Sequence, residues 1–256
     1  MQQPFQHEDI LPSILYFGTP TALIGTLPPN ASPSTKPNIG PMSSVFWLGN
    51  HCVLGLAAES YTTQNIILLT DHSSQRNGRM YHLPASSALA ANVNAIARTT
   101  GTEVVPPGKI DRNYVYCGDK FALGSFTQLP SVHIAAPGIA ECPIVMEAKL
   151  VQTIDLFNDT EMPGVIKCFE VKILNVRINP ELRMEGQGKE NYIEPDKWKP
   201  LIMMFSHFYS LQDGKLGTSR LAEIPEEKYR GLTDYGDGGP LERIGSADRL
   251  PRGEGR

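Results

Sequence analysis

Two long stretches rich in Val and Ile, residues 143–154 and 165–178, limit most strongly what the chain can fold into. Both predict long strands, because β-branched side chains favour the extended backbone of a pleated sheet. The dipeptide Gly49-Asn50, between two short apolar runs, is typical of a tight hairpin turn. Shorter strands are predicted at residues 21–27, 43–48, 51–57, 79–83 and 201–205. The chain is therefore expected to be mainly β.

Helices are predicted at few places. The clearest begins at Ser86 or Ser87 and runs to about Thr100, because its apolar residues recur at helical spacing. Gly101 stands just past this end, where a helix commonly stops. A second, shorter helix is predicted at residues 220–230. Many short strands with few helices favour an antiparallel barrel over a βαβ fold.

The composition is that of an ordinary globular protein. The chain has 256 residues, of which 41% are hydrophobic and 20% charged, and this length can bury a full core. We expect one main domain over residues 14–230, with an N-terminal extension at 1–13 and an arm or tail at 231–256. The formal net charge of -4 and the absence of a long Lys/Arg run argue against nucleic acid as a partner.

Several classes of protein and of site lack support in the sequence. No apolar stretch approaches the roughly 20 residues of a membrane helix, and residues 1–9 lack the features of a secretory signal, so the cytoplasm is expected. The cysteines and histidines show no metal-ligand spacing, so no metal site is predicted. The motifs GxGxxG, HExxH and GxSxG and a phosphate-binding P-loop are also missing.

Two segments concentrate small hydroxyl and amide side chains. Residues 38–44 (Asn-Ile-Gly-Pro-Met-Ser-Ser) enter a strand, and residues 60–65 (Ser-Tyr-Thr-Thr-Gln-Asn) precede a predicted helix. Free N–H groups at a helix N-terminus, together with Ser and Thr hydroxyls, can hold a phosphate. Gly40 and the pair Ser43-Ser44 could offer close approach and polar contacts to a flavin ring. The alternative interpretation is an ordinary turn followed by a helix cap.

Taken in order, these segments resemble the flavin reductase-like, FMN-binding split-barrel family. The similar residues are 19–27, 38–44 and 62–65, followed by 118–121 (Gly-Asp-Lys-Phe) and 138–143 (Gly-Ile-Ala-Glu-Cys-Pro). The resemblance spans about residues 14–178. It implies an antiparallel split β-barrel, a homodimer with FMN near the subunit interface, and oxidoreductase chemistry on a small-molecule substrate.

The resemblance also implies which residues contact the flavin. Asn38 and the pair Ser43-Ser44 would face the ring. Ser60, Thr62 and Thr63 would hold the phosphate, and Asn65 would stabilise that turn. Lys120 would lie near the flavin, where its charge favours either the phosphate or a reduced, anionic ring. The alternative for Lys120 is a solvated surface lysine. The full set of implied contacts is Asn38, Pro41, Met42, Ser43, Ser44, Ser60, Thr62, Thr63, Asn65 and Lys120.

Two departures from the family pattern bear on the reaction. Many NAD(P)H-dependent members carry a Gly-Asp-His-like run before the long strand, whereas residues 162–166 read Met-Pro-Gly-Val-Ile, so NAD(P)H as co-substrate stays open. The loop 72–78 looks like an insertion. Beyond the minimal barrel, His207 is a candidate acid or base and Arg220 a candidate anion-binding group in a lid over a substrate pocket. The alternative for both is packing or a dimer contact.

The leading hypothesis is an FMN-dependent oxidoreductase. A hydride would pass through flavin N5 between NAD(P)H or an organic substrate and an acceptor such as oxygen, free flavin or a partner monooxygenase. Two alternatives remain open. One is a flavin-binding or carrier protein without turnover of its own. The other is a barrel that has lost FMN and uses its pocket for another ligand or a non-redox reaction.

Overall fold

The computed structural model describes residues 6–12, 15–68, 79–187, 189, 191–211 and 216–223. The strands of the first part are β1 (Thr19–Pro20), β2 (Ala22–Thr26), β3 (Asn38–Met42), β4 (Val45–Leu48), β5 (His51–Ala57), β6 (Arg79–Pro84) and β7 (Thr99–Thr100). Those of the second part are β8 (Val115–Tyr116), β9 (Gln128–Leu129), β10 (Gly138–Ile139), β11 (Ile144–Asp155), β12 (Ile166–Ile178), β13 (Leu201–Met204) and β14 (His207–Ser210). The α-helices are α1 (Tyr61–Leu68), α2 (Ala90–Ala95), α3 (Pro107–Ile110) and α4 (Lys120–Leu123).

Seven of the described strands form one antiparallel sheet in the order β3-β2-β6-β11-β12-β5-β4. The two edge strands are neighbours in sequence, since β3 ends at Met42 and β4 begins at Val45. A sheet whose opposite edges are joined by only two residues has to curl, so that the edges approach each other without pairing. The described strands therefore form an antiparallel split barrel, as the sequence predicted.

Strand β2 is buried on both faces and separates two hydrophobic clusters. Successive side chains of a strand point to opposite faces, so Leu23 belongs to one cluster and Ile24 to the other. The first cluster includes Ile39, Val93, Ile96, Phe121 and Leu201. The second, inside the barrel, includes Leu54, Leu56, Ile66, Phe169 and Val171. Because the first cluster contains residues of α2 and α4, it fixes both helices against β2 and β3.

The long strands β11 and β12 pair from Ile144 with Ile178 to Asp155 with Lys167, which confirms the prediction from their Val and Ile content. Residues 45–48 and 51–57 form the expected hairpin, in which Leu48 pairs with His51. A separate sheet of β1, β13 and β14 lies beside the barrel. It contains most of the strand predicted at 201–205.

The helix predicted from Ser86 or Ser87 to Thr100 is shorter than expected. A single 3-10 turn leads into α2, which ends at Ala95, and Thr99–Thr100 instead pairs in parallel with β8. Two consecutive β-branched residues favour the strand, and the Thr99 hydroxyl donates to the Ile96 carbonyl at 2.8 Å and holds the exit from the helix. Gly101 is therefore not a helix stop.

The two hydroxyl-rich segments are also more regular than predicted. Residues 38–42 form edge strand β3, where Pro41 is tolerated. Helix α1 begins at Tyr61, so the helix start predicted within residues 60–65 is confirmed and most of these residues lie inside its first turns. Of the helix predicted at 220–230, Arg220–Glu223 forms a 3-10 turn, and the remainder lies outside the described residues. The loop at 72–78 and the tail at 231–256 lie outside them too.

Candidate functional site

Helix α1 uses two of the hydroxyls that were predicted to bind phosphate for its own N-terminus. Ser60 Oγ accepts a hydrogen bond from the Thr63 N–H at 3.1 Å and donates to Thr63 Oγ1 at 2.9 Å. Thr63 Oγ1 donates to the Ala57 carbonyl at 2.8 Å, and the Thr63 side chain is fully buried. These contacts satisfy backbone groups at the helix start. We call Ala57, Ser60 and Thr63 the capping cluster.

A second buried network joins β2, β3 and α1. Asn38 Nδ2 donates to Thr62 Oγ1 at 3.0 Å and to Thr26 Oγ1 at 3.3 Å. Asn65 Nδ2 donates to the same Thr26 oxygen at 3.0 Å. A Cβ at Gly40 would lie 2.7 Å from Thr62 Oγ1, so the close approach of α1 to β3 requires glycine there. The network fixes the orientation of the Asn38 amide.

The carbonyl oxygen of the Asn38 side chain has no hydrogen-bond partner among the described residues, although it is buried. A buried acceptor without a donor costs about 1–3 kcal/mol. Such a group is unusual in a native core and calls for an explanation. A ligand that brings a hydrogen-bond donor to this oxygen would explain why it is left unsatisfied in the protein alone.

Lys120 is buried at the start of α4, with 4% of the residue exposed. Its ammonium donates to the Ile39 carbonyl at 2.9 Å and to the Thr99 carbonyl at 3.4 Å. No described ion pair gives it a carboxylate partner. Burial lowers the pKa of Lys120 to about 8, although Cys117 raises it in part and the smaller effect of the Lys109 charge lowers it again. Lys120 is therefore not a solvated surface lysine.

Asn38 and Lys120 line the same cavity, which has a volume of about 760 Å³. We call these two residues the cavity floor. One wall is formed by Tyr61 of α1 and by residues 35–37. The other is formed by residues 101–104 and 116–119, which follow β7 and β8. At the mouth, Lys36 forms an ion pair with Asp119 at 3.1 Å.

Tyr61 and Gly101 meet beside the cavity floor. A Cβ at Gly101 would lie 2.3 Å from Tyr61 Cδ1 and 3.1 Å from Asn38 Oδ1. Only glycine therefore lets the Tyr61 ring lie against the backbone at this point. Burial raises the pKa of Tyr61, with smaller contributions from Tyr116 and Glu103, so its phenol is neutral and can donate a hydrogen bond.

Asp119 holds the helix that carries Lys120. Its Oδ1 accepts the Ala122 N–H at 3.0 Å and so caps α4. This hydrogen bond is the main cause of the lowered pKa of Asp119, and the ammonium of Lys36 adds to it. The cap fixes the position of α4 at the cavity.

Glu147 is also a buried charged residue, but it differs from Lys120. Its carboxylate accepts the N–H groups of Val132 at 3.1 Å and His133 at 2.6 Å, and Asn175 Nδ2 at 3.2 Å. A buried carboxylate with several donors is satisfied within the fold. We therefore regard Glu147 as structural.

The structure brings together only part of the predicted site. Asn38 and Lys120 line the cavity, and Thr62 and Asn65 lie behind Asn38 in the buried network. The remaining predicted contacts, Pro41, Met42, Ser43, Ser44, Ser60 and Thr63, do not line this cavity. The same is true of His207 at the start of β14 and of Arg220, both of which are exposed.

Sequence reasoning missed the residues that shape the walls of the cavity. Gly101 was interpreted as the residue that ends a helix. Tyr61 lies within residues 60–65, which were interpreted only for their small hydroxyl and amide side chains. Tyr116 and Cys117 directly precede the Gly-Asp-Lys-Phe segment at 118–121, which was the available signal. Their roles depend on the parallel pairing of β7 with β8, which no local pattern indicates.

Two classes of feature do not occur in the described part of the chain. None of its helices is long and apolar enough to cross a membrane. No three His, Cys, Asp or Glu side chains of these residues come together in a way that could hold a metal ion.

Comparison with solved structures identifies the class of fold. Flavoredoxin of Desulfovibrio vulgaris (Miyazaki F) matches 86% of this chain and 100% of its own with a TM-score of 0.63 and 19% identity. Nitrilotriacetate monooxygenase component B from Bacillus cereus matches 79% of this chain and 88% of its own with a TM-score of 0.57 and 17% identity. A flavin reductase with a split barrel domain from Shewanella frigidimarina, 14% identical, covers 79% of this chain and 87% of its own, with a TM-score of 0.54. The fold is that of the flavin reductase-like split-barrel proteins, as the resemblance implied.

Comparison of sequences places the chain in a narrower group. It is 30% identical to the uncharacterized protein YdfE of Bacillus subtilis (strain 168) over 210 residues, which cover 82% of this chain and 92% of YdfE. The chain therefore belongs to the same family as YdfE. No family model matches the chain.

Proposed function

We propose that the protein is a flavin-dependent oxidoreductase that holds FMN in the cavity above Asn38 and Lys120. The observation that carries this proposal is the cavity floor, where, among the described residues, a buried ammonium has no carboxylate partner and a neighbouring buried acceptor has no donor. The fold supports it, because flavoredoxin and the flavin reductase share this architecture.

The residues present fit a flavin. The ring needs donors and acceptors along its pyrimidine edge, and the cavity offers Asn38 Oδ1 as acceptor and Lys120 as donor. Tyr61 offers an aromatic ring and a neutral phenol beside them. The volume of about 760 Å³ lies within the range of 300–1,000 Å³ that is typical of ligand pockets.

Bound FMN would supply the redox chemistry, namely hydride transfer through N5 between NAD(P)H or an organic substrate and an acceptor. The residues of the chain bind and orient the ring and keep one positive charge close to it. Asp119 holds α4 and therefore Lys120 in place, while the buried network holds Asn38. Oxygen, free flavin and a partner enzyme are the candidate acceptors.

We further propose a homodimer. Exposed apolar side chains lie on the edge strand β4, where Phe46 is 55% and Leu48 is 75% exposed, and Ile154 of β11 is exposed as well. Unpaired edges and apolar surface of this kind favour association with a second copy. Light scattering coupled to size exclusion should give twice the mass of 28.1 kDa for the wild type, and Phe46→Asp should lower it. A wild-type monomer at micromolar concentration would contradict this proposal.

A partner monooxygenase is proposed as one acceptor of the electrons. A matching fold belongs to component B of a nitrilotriacetate monooxygenase, which supports the idea by analogy of fold alone. The role of His207 and Arg220 as groups that face the substrate from a lid stays a prediction. Replacing each with Gln should lower turnover and leave the flavin content unchanged.

The decisive experiment starts from the purified protein. Its visible spectrum is recorded, any cofactor is released with acid for identification by mass, and NADH or NADPH is added without oxygen. We expect bound FMN and bleaching of its absorbance by a donor. A colourless protein that does not bind FMN in titration would contradict the proposal. FMN that stays oxidised with both nucleotides would exclude NAD(P)H as donor and point to an organic substrate.

A further inference from the structure

The two groups of the cavity floor are neighbours in the backbone as well as in space. Lys120 donates to the carbonyl of Ile39, and Asn38 is the residue before it on β3. The amide nitrogen of Asn38 is held by Thr26 and Thr62, which leaves its oxygen as the buried acceptor. A ligand that satisfies both groups has to carry a hydrogen-bond donor next to an oxygen that attracts a cation.

This pair of requirements distinguishes between the two ends of FMN. A phosphate dianion has acceptor oxygens only, so it would suit Lys120 but leave Asn38 Oδ1 without a donor and close to negative charge. The pyrimidine edge of the ring carries N3–H between two carbonyl oxygens and can satisfy both groups. Resting on the proposed function, we propose that the cavity floor binds the pyrimidine edge of the flavin rather than its phosphate, with Asn38 Oδ1 accepting from N3–H.

Tyr61 covers the acceptor in the present arrangement. Its ring and Asn38 Oδ1 both lie against Gly101, and the oxygen is buried from solvent. A ligand reaches this oxygen only after the ring has moved away from Gly101. Because Tyr61 is only half-buried and lines the cavity, rotation of its side chain can open the acceptor without disturbing the core. Tyr61 is therefore a gate over Asn38.

The inference is tested by binding rather than by turnover. FMN and 3-methyl-FMN, in which a methyl group replaces the N3 hydrogen, are titrated into the flavin-free protein and followed by flavin fluorescence. We expect 3-methyl-FMN to bind about 10- to 100-fold more weakly, since the donor is lost and Asn38 Oδ1 stays unsatisfied. Equal affinities within twofold would overturn the inference while the proposed function stands. Binding of neither flavin would overturn both.

Two variants test the residues themselves. Asn38→Ala should remove most of the preference for FMN over 3-methyl-FMN, whereas Asn191→Ala, at an exposed asparagine, should keep it. This ratio of affinities is independent of a change in stability. Tyr61→Ala should bind FMN faster in stopped-flow experiments, whereas Tyr16→Ala, at an exposed tyrosine outside the cavity lining, should match the wild type. A preference that survives in Asn38→Ala would overturn the assignment of Asn38, and an unchanged rate for Tyr61→Ala would overturn the gate.

Discussion

The capping cluster and the cavity floor are both built from polar groups but differ in whether those groups already have their hydrogen-bond or charge partners. In the capping cluster, the Thr63 hydroxyl donates to Ala57 and Ser60 caps the helix, so the fold uses both hydroxyls. In the cavity floor, Asn38 Oδ1 has no donor and the Lys120 ammonium has no counter-charge within the described residues. For this reason we place the proposed ligand where unsatisfied polar groups lie beside a cavity, and not where polar residues are merely dense.

This difference should affect both the stability of the folded protein and its affinity for a ligand. A satisfied buried hydroxyl stabilises the folded protein, and its loss leaves its partners without bonds. A buried charge without a counter-charge is costly to the folded protein, and the cost is repaid when a ligand binds. The two regions should therefore respond in opposite ways to substitution, one in stability and the other in affinity.

The largest effect is expected for Lys120→Met. FMN should bind about 10- to 100-fold more weakly, because charge-assisted hydrogen bonds contribute about 1.5–3 kcal/mol. The free energy of unfolding should change by less than about 1 kcal/mol, since a side chain of similar length replaces a poorly compensated charge. Fluorescence titration and urea denaturation measure the two quantities. Lys149→Met, at an exposed strand lysine, is the control and should change neither.

Thr63→Val should show the opposite behaviour. It keeps the shape of a fully buried side chain but removes the hydroxyl that contacts Ala57 and Ser60. We expect the free energy of unfolding to fall by about 1–3 kcal/mol and the FMN affinity of the folded protein to stay within about twofold. Thr153→Val, at an exposed strand position, should leave both unchanged. A large loss of FMN affinity in Thr63→Val would instead indicate that the phosphate of FMN binds at the start of α1.

The dependence of FMN binding on pH should sharpen the assignment to Lys120. Its ammonium has a pKa of about 8 in the free protein, so it is charged at pH 7 and increasingly neutral above pH 8. The dissociation constant should therefore rise from pH 7 to pH 9, by up to about tenfold for a single proton, and approach that of Lys120→Met. Lys120→Met should show a flat profile over this range. An equally steep profile in that variant would assign the titration to another group.

The smallest effect is expected from the cap of α4. Asp119→Ala should lower the free energy of unfolding by about 1 kcal/mol and weaken FMN binding a few-fold, because loss of an N-cap loosens the helix that carries Lys120. Asp119→Asn keeps a capping oxygen and removes the charge that pairs with Lys36. It should behave like the wild type within about 0.5 kcal/mol, since exposed ion pairs contribute little. An effect of Asp119→Asn as large as that of Asp119→Ala would assign the role to the ion pair.

The sequence predicted the sheet better than the site. The Val and Ile content of residues 143–154 and 165–178 and the turn at Gly49-Asn50 depend on local chemistry, and the structure confirms both. The helix at 86–100 was extended too far because apolar spacing continued past Ala95, where Thr99 and Thr100 pair with a strand 16 residues later in the chain. That pairing is not encoded in local spacing.

The structure brings only some of the predicted contacts to one cavity. Asn38 and Lys120 were identified by resemblance, and both lie in the cavity. Ser60 and Thr63 were predicted as phosphate contacts because a hydroxyl has the same sequence signature whether it caps a helix or binds a ligand. Tyr61 and Gly101 were missed because their contact depends on how α1 packs against residues 99–101.

The most direct test of the central claim is a crystal structure of the protein with FMN bound. We expect flavin density in the cavity, with the pyrimidine edge in contact with Asn38 and Lys120 and the Tyr61 ring displaced from Gly101. Density for the phosphate on Lys120, or for FMN at the capping cluster with the cavity empty, would contradict it.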